Sequence, residues 1–183
     1  MDNSRPADPA ERGPDEALLL AVRTRLAAPA LTAGARALSL AGEHGALWIA
    51  GGLLAAGADR PRRGRWLRAA AVVAGAHLGS MAVKRVVRRP RPELAGFEPL
   101  VRTAGRHSFP SSPAASAAAA AVAYRRLLPG PAAAALGAGA AAMCASRLVV
   151  GVHYPTDVAA GAALGALSAG IGRAWVEGVV DRG

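Results

Sequence analysis

The sequence predicts an all-α fold: a membrane helical bundle of about five transmembrane helices plus an amino-terminal amphipathic helix. Three observations carry that reading. Apolar runs alternate with short turns rich in arginine, proline and glycine. The apolar residues are mostly small, since hydrophobic residues make up 52% of the chain but aromatics only 4%. A water-soluble core built that way would bury little area per residue, whereas small side chains let helices approach closely in a bilayer. No strand-period alternation and no internal repeat is visible.

Met1 to Asp15 is polar and rich in Pro, Asp and Arg, which predicts a disordered tail before a single helical domain at residues 16–183. It lacks the order of a secretory signal. Glu16 to Leu40 carries Leu18, Leu19, Leu20, Val22, Leu26, Leu31, Leu38 and Leu40 with Arg23, Arg25 and Arg36 between them. That pattern suits a basic amphipathic segment on the membrane surface, interrupted at Pro29. Ala41 to Ala58 is the first expected span, with Glu43 and His44 near its start. A basic turn, Asp59 to Arg65, leads into the second, Trp66 to Val83, with Trp66 placed as an interfacial anchor and His77 assigned to packing. Lys84 to Pro110 is the longest polar connection. Ala114 to Leu128 is the third span, Ala132 to Ala145 the fourth and Val158 to Val180 the fifth. Gly161, Gly165 and Gly170 stand at helix-packing spacings, which also allow a homo-oligomer.

Charge narrows the function. The formal net charge is +10, but the arginines cluster between apolar runs, as in membrane loops rather than in a nucleic-acid interface. With one cysteine, Cys144, the chain can form no internal disulfide and no thiol-based metal site. Threading the spans through a bilayer brings three polar clusters to one face: Lys84 to Pro92, Ser108 to Pro113, and Ser146 to Asp157. The basic turns at Arg60 to Arg65 and at Arg125-Arg126 fall on the other face. Arg147 offers a planar fork of donors to phosphate oxygens. Asp157, four residues after His153, can fix the tautomer of the imidazole. A histidine with a carboxylate behind it and cations in front reads as a nucleophile or base aimed at a phosphoryl group. Lys84, the only lysine in an arginine-rich chain, marks a place where an ammonium is wanted.

These clusters resemble the three-part signature of the type-2 phosphatidic acid phosphatase superfamily, K-x6-R-P, P-S-G-H and S-R-x5-H-x3-D. Lys84 with Arg91-Pro92 matches the first part, and Ser146, Arg147, His153 and Asp157 match the third. Pro110 and Ser111 match half of the second, where Ser112 and Pro113 replace glycine and histidine. The resemblance covers Lys84 to about Gly165. It implies that His153 is a nucleophile forming a phosphohistidine and that Asp157 orients it. It further implies that Lys84, Arg91 and Arg147 hold the phosphate without a metal or other cofactor, and that Ser111 and Ser112 cradle it at a helix N-terminus. Pro113 then stands where the general acid belongs and has no titratable group. As Ser112 is a good N-cap and Pro113 suits the first helical position, the fold is expected to tolerate the change while the chemistry suffers. His107, just upstream, is a candidate replacement acid.

The Ser108-Phe109-Pro110-Ser111-Ser112 variant is similar to the actinobacterial group assigned to decaprenylphosphoryl-5-phosphoribose, whose members remove the 5-phosphate from a prenyl-linked sugar. A polyprenyl pyrophosphate or a phosphatidic acid would use the same residues, and an inactive lipid-phosphate binder would keep the same fold. The partners implied are a lipid-linked phosphate and the bilayer, with no nucleic acid. The basic turns favour a cytoplasmic position for their face, so the site is expected to open to the outer, periplasmic side of the cell membrane.

Overall fold

The computed structural model describes residues 13–94, 96–103 and 105–178. Among them the regular structure is helical: α1 (Pro14–Arg25), α2 (Pro29–Ala41), α3 (Ala46–Ala58), α4 (Arg63–Val87), α5 (Ser112–Tyr124), α6 (Gly130–Val149), α7 (Pro155–Ile171) and the short α8 (Arg173–Glu177), with 3₁₀ turns at Glu43–Gly45 and Arg60–Arg62. Proline sets most of the starts. Pro14, Pro29, Pro113, Pro131 and Pro155 each stand in the first two positions of a helix, where no N–H is missed and φ is already helical.

The architecture turns on α5. Its residues are almost all buried, and it packs on α7, α4, α6 and α3. Two glycines let α7 come in at backbone distance. A β-carbon on Gly161 would overlap the Ser111 carbonyl, and one on Gly165 would overlap the Ala115 carbonyl. Gly161 and Gly165 therefore serve packing inside the chain. Gly165→Ala is expected to lower stability by about 1–3 kcal/mol, because backbone cannot yield as a side chain can. Gly170→Ala, with nothing within 4 Å, is the control. Melting in detergent checks the pair, and equal melting temperatures would remove the close-approach argument.

Many of the large aliphatic side chains face outward. The core is mainly alanine from α4 and α5 with Trp48, Trp66, Tyr124 and Met143. Leu54, Leu78, Leu167 and Ile171 are each more than half exposed. Water would reverse that arrangement, and lipid does not. Arg60–Val87 (28 residues) and Gly130–Val149 (20 residues) are each long and apolar enough to cross a membrane, and α1 with α2 passes only as a pair bent by 120°. α3 and α5 have 13 residues each and α7 has 17. Being wrapped in protein, α5 has a length set by its neighbours rather than by lipid.

Three expectations change here. The amphipathic segment is two helices, and its Arg23 is buried, donating to the carbonyls of Phe97 (3.1 Å) and Glu98 (2.9 Å). Pro14 and Asp15 belong to α1 rather than to the expected tail, whose first twelve residues lie outside the described ones. Trp66 is no lipid-facing anchor. It is buried, stacks obliquely on Tyr124 with ring centroids 5.4 Å apart, and donates its indole N–H to Asp59 (3.0 Å). The two basic turns do meet, since Arg62 donates to the Leu127 carbonyl (3.1 Å). That end of the bundle also holds the larger cavity, about 730 Å³, walled by Arg65, Arg125, Arg126 and Arg173.

Candidate active site

The opposite end brings the sequence clusters together. Lys84 closes the last turn of α4, Ser112 and Pro113 open α5, Arg147 lies in the last turn of α6, and His153 sits in the corner before α7. All five, with Arg91 from the connection, line one cavity of about 210 Å³. Glu43, His44, His77 and Thr103 line it too. Spans that run antiparallel put these ends on one surface, which is why residues remote in sequence share a cavity.

His153 is 1% exposed, and its Nδ1 stands 3.6 Å from Asp157 Oδ2, a close polar contact but longer than a hydrogen bond. Burial pushes its pKa down to about 3, against the pull of Asp157 and with help from Arg147, Arg91 and Lys84. The ring is therefore neutral at physiological pH, with a lone pair to offer. Asp157 is fully buried. Its Oδ2 accepts the Tyr154 N–H (2.8 Å), capping α7, and its Oδ1 accepts from Arg89 Nη1 (2.9 Å).

Arg89 is the residue that sequence reasoning missed. It also donates to Thr156 Oγ1 (2.7 Å) and Asp15 Oδ2 (2.7 Å), and its guanidinium lies 4.1 Å from the Tyr154 ring centroid. Asp15 closes the ring of contacts by accepting from the Thr156 N–H (3.0 Å) and hydroxyl. Burial disfavours the Arg89 charge, but the two carboxylates outweigh it and raise its pKa. One signal was available: Arg89-Pro90 directly precedes the motif pair Arg91-Pro92, so the connection turns twice over a short stretch.

The cations are held from several directions. Arg91 donates to the carbonyls of Gly105 (2.8 Å) and Val152 (2.8 Å), and burial lowers its pKa against the attraction of Asp157 and Glu43. Arg147, buried within α6, donates to the Ser39 carbonyl (3.4 Å) and hydroxyl, so α2 positions it. The cradle differs from expectation. Ser111, not Ser112, is the N-cap of α5, and Pro113 takes the second helical position. The Ser111 N–H is used by the Asp157 carbonyl (2.9 Å), and Ser111 does not line the cavity. Ser112 does, with a buried hydroxyl lacking a partner among the described residues. His107 pairs with Pro90 and is not among the lining residues. His77 is buried as a packing residue would be, yet it lines the cavity.

A neutral buried imidazole, a carboxylate behind it and three cations in front suit transfer of a phosphoryl group. Known proteins agree on the family. The PAP2 superfamily profile matches residues 65–180. The decaprenylphosphoryl-5-phosphoribose phosphatase of Mycolicibacterium smegmatis is 46% identical over 153 residues, 83% of either chain. Its Mycobacterium tuberculosis namesake is 42% identical over 160 residues, 86% of this chain and 89% of that one. Among solved structures, a transmembrane PAP2-type phosphatidylglycerolphosphate phosphatase from Bacillus subtilis superposes with a TM-score of 0.75 at 24% identity, covering 96% of this chain and 89% of that one. Aquifex aeolicus LpxE also scores 0.75, at 20% identity over 88% of this chain and 95% of that one. Profile, relatives and fold point the same way, and this chain belongs to the PAP2 superfamily.

Proposed function

We propose that the chain is a membrane lipid phosphatase that removes a phosphate monoester from a prenyl-linked lipid, decaprenylphosphoryl-5-phosphoribose, through a phosphohistidine on His153. The observation that carries the reading is the single cavity in which neutral His153 faces Lys84, Arg91 and Arg147. His153 attacks phosphorus through Nε2, since Nδ1 faces Asp157. Asp157 holds the ring and stabilises the positive charge it gains. The three cations offset charge on the transferring group, so the mechanism uses no cofactor. Ser112, from the start of α5, supports the phosphate together with the helix end, and Ser111 contributes by fixing that end to Asp157. The relatives' names supply the substrate, while the arginines at the far end of the bundle favour an outward-facing site. Phosphate release from detergent-solubilised protein, compared across a prenyl-linked sugar phosphate, a polyprenyl pyrophosphate and a phosphatidic acid, tests the reading. Preference for either of the last two would replace the substrate.

Pro113 favours a second reading, a lipid-phosphate binder of low or no activity. A leaving alkoxide needs a proton, and proline has none to give. On that second reading, with no other group supplying the proton, Pro113→His is expected to raise turnover of an alkyl phosphomonoester by about tenfold or more. Binding of the lipid with no release of phosphate by either form would favour the binder.

A further inference from the structure

We infer that His44 is the proton donor to the leaving group, an office that Pro113 leaves open; this rests on the phosphohistidine reading above. His44 and Pro113 line the same small cavity as His153. His153 is nearly sealed from solvent, whereas His44 is exposed on the turn between α2 and α3 and can be reprotonated from water in each cycle. The turn is held in place. His44 takes the left-handed conformation (φ 60°), Gly45 follows at φ 70°, and a β-carbon on Gly45 would stand 3.2 Å from both His77 Nδ1 and Ser116 Cβ. A residue with a β-carbon seldom adopts that backbone, and such strain gathers at functional sites. The turn thus presents His44 from a fixed seat against α4 and α5.

Other titratable groups around the cavity suit the task less well. Lys84, Arg91 and Arg147 are the phosphate's counter-charges, and Glu43, on the same turn, lies near enough to Arg91 to pull on its charge. His77 is buried on α4. α5 brings only Ser112 and Pro113 to the lining, neither of them an acid. The step balances. His153 Nε2 donates its lone pair to phosphorus, the bond from phosphorus to the alkyl oxygen breaks with its electron pair on oxygen, and His44 imidazolium passes that oxygen its proton. Water then attacks the phosphohistidine and gives a proton to the now neutral His44. The P–N bond breaks, its pair returns to His153, and inorganic phosphate departs.

The test uses the full chain in detergent with two substrates, a long-chain alkyl phosphate and p-nitrophenyl phosphate, whose leaving group needs no proton. Asparagine tolerates the left-handed turn, so His44→Asn keeps the backbone and removes the acid. Alkyl phosphate turnover is expected to fall by about 10²-fold and aryl phosphate turnover by only a few-fold. Adding Pro113→His to His44→Asn should restore the alkyl activity, as a merely structural role would not allow. Equal losses on both substrates, no loss on either, or the selective loss arising in His77→Asn instead would overturn the assignment. His153→Ala separates the layers. If it abolishes phosphate release while His44→Asn is silent, the nucleophile stands and only the acid is wrong; if it is silent too, both fall.

Discussion

His153→Ala is expected to reduce phosphate release from a lipid phosphomonoester by about 10³-fold or more, with the protein still folded. The side chain is buried in the cavity wall and makes no hydrogen bond among the described residues, so its removal costs chemistry before structure. Its protonation state supports this. Burial holds the ring's pKa at about 3 against an ordinary 6.5, which leaves the proposed nucleophile uncharged at physiological pH. The sign for stability follows. Between pH 6.5 and 3 the unfolded chain protonates this histidine and the folded chain does not, so stability that is full above 6.5 declines as pH falls through the window. The alanine variant should lose that part of the acid sensitivity. Phosphate release and melting over pH 3–8 measure both. Turnover within tenfold of the parent would mean that another group attacks phosphorus.

Arg89→Ala is the second large effect, and it strikes both fold and chemistry. Asp157 is fully buried and Arg89 is its charged partner at 2.9 Å, with 30% of the Arg89 side chain still exposed. Truncation leaves a buried carboxylate without that partner, a loss of about 2–4 kcal/mol after allowing for the solvent that reaches Arg89. It also frees Asp15 and Thr156, so α1 loosens from the start of α7. Without its brace the Asp157 carboxylate no longer fixes the imidazole, and turnover is expected to fall about 10²-fold. Arg89→Lys should recover little, because one ammonium cannot serve Asp157, Asp15 and Thr156 from a planar fork. An Arg89→Ala protein with parental melting temperature and rate would show the contact to be incidental.

Much of the site was legible because its parts are written locally. Lys84, Arg91, Arg147, His153 and Asp157 are chemical groups at fixed spacings beside span ends, and antiparallel threading forces those ends together. The place of Pro113 in the first turn of α5 was legible as well, since proline fixes φ wherever it stands. Arg89 was not. It is one of several arginines in the stretch from Lys84 to Pro110, and although a proline follows it, nothing local says which carboxylate it pairs with. Its contacts reach to Thr156 and Asp15, 67 and 74 residues away. Trp66 shows the same limit, because a tryptophan at a span end reads as an anchor until Tyr124 is seen against it. The N-cap of α5 shifted by one residue for a similar reason: the Asp157 carbonyl takes the Ser111 N–H, a contact no local rule contains.

By itself the sequence determined the order of the helices and the end of the bundle at which Lys84, Arg91, Arg147 and His153 gather, since composition and spacing act along the chain. Tertiary structure alone decided which arginine braces Asp157, that Ser39 holds Arg147, and that His44 shares a cavity with Pro113. Like side chains are equivalent until burial and distant partners give each a different energy, and only the packed bundle supplies those.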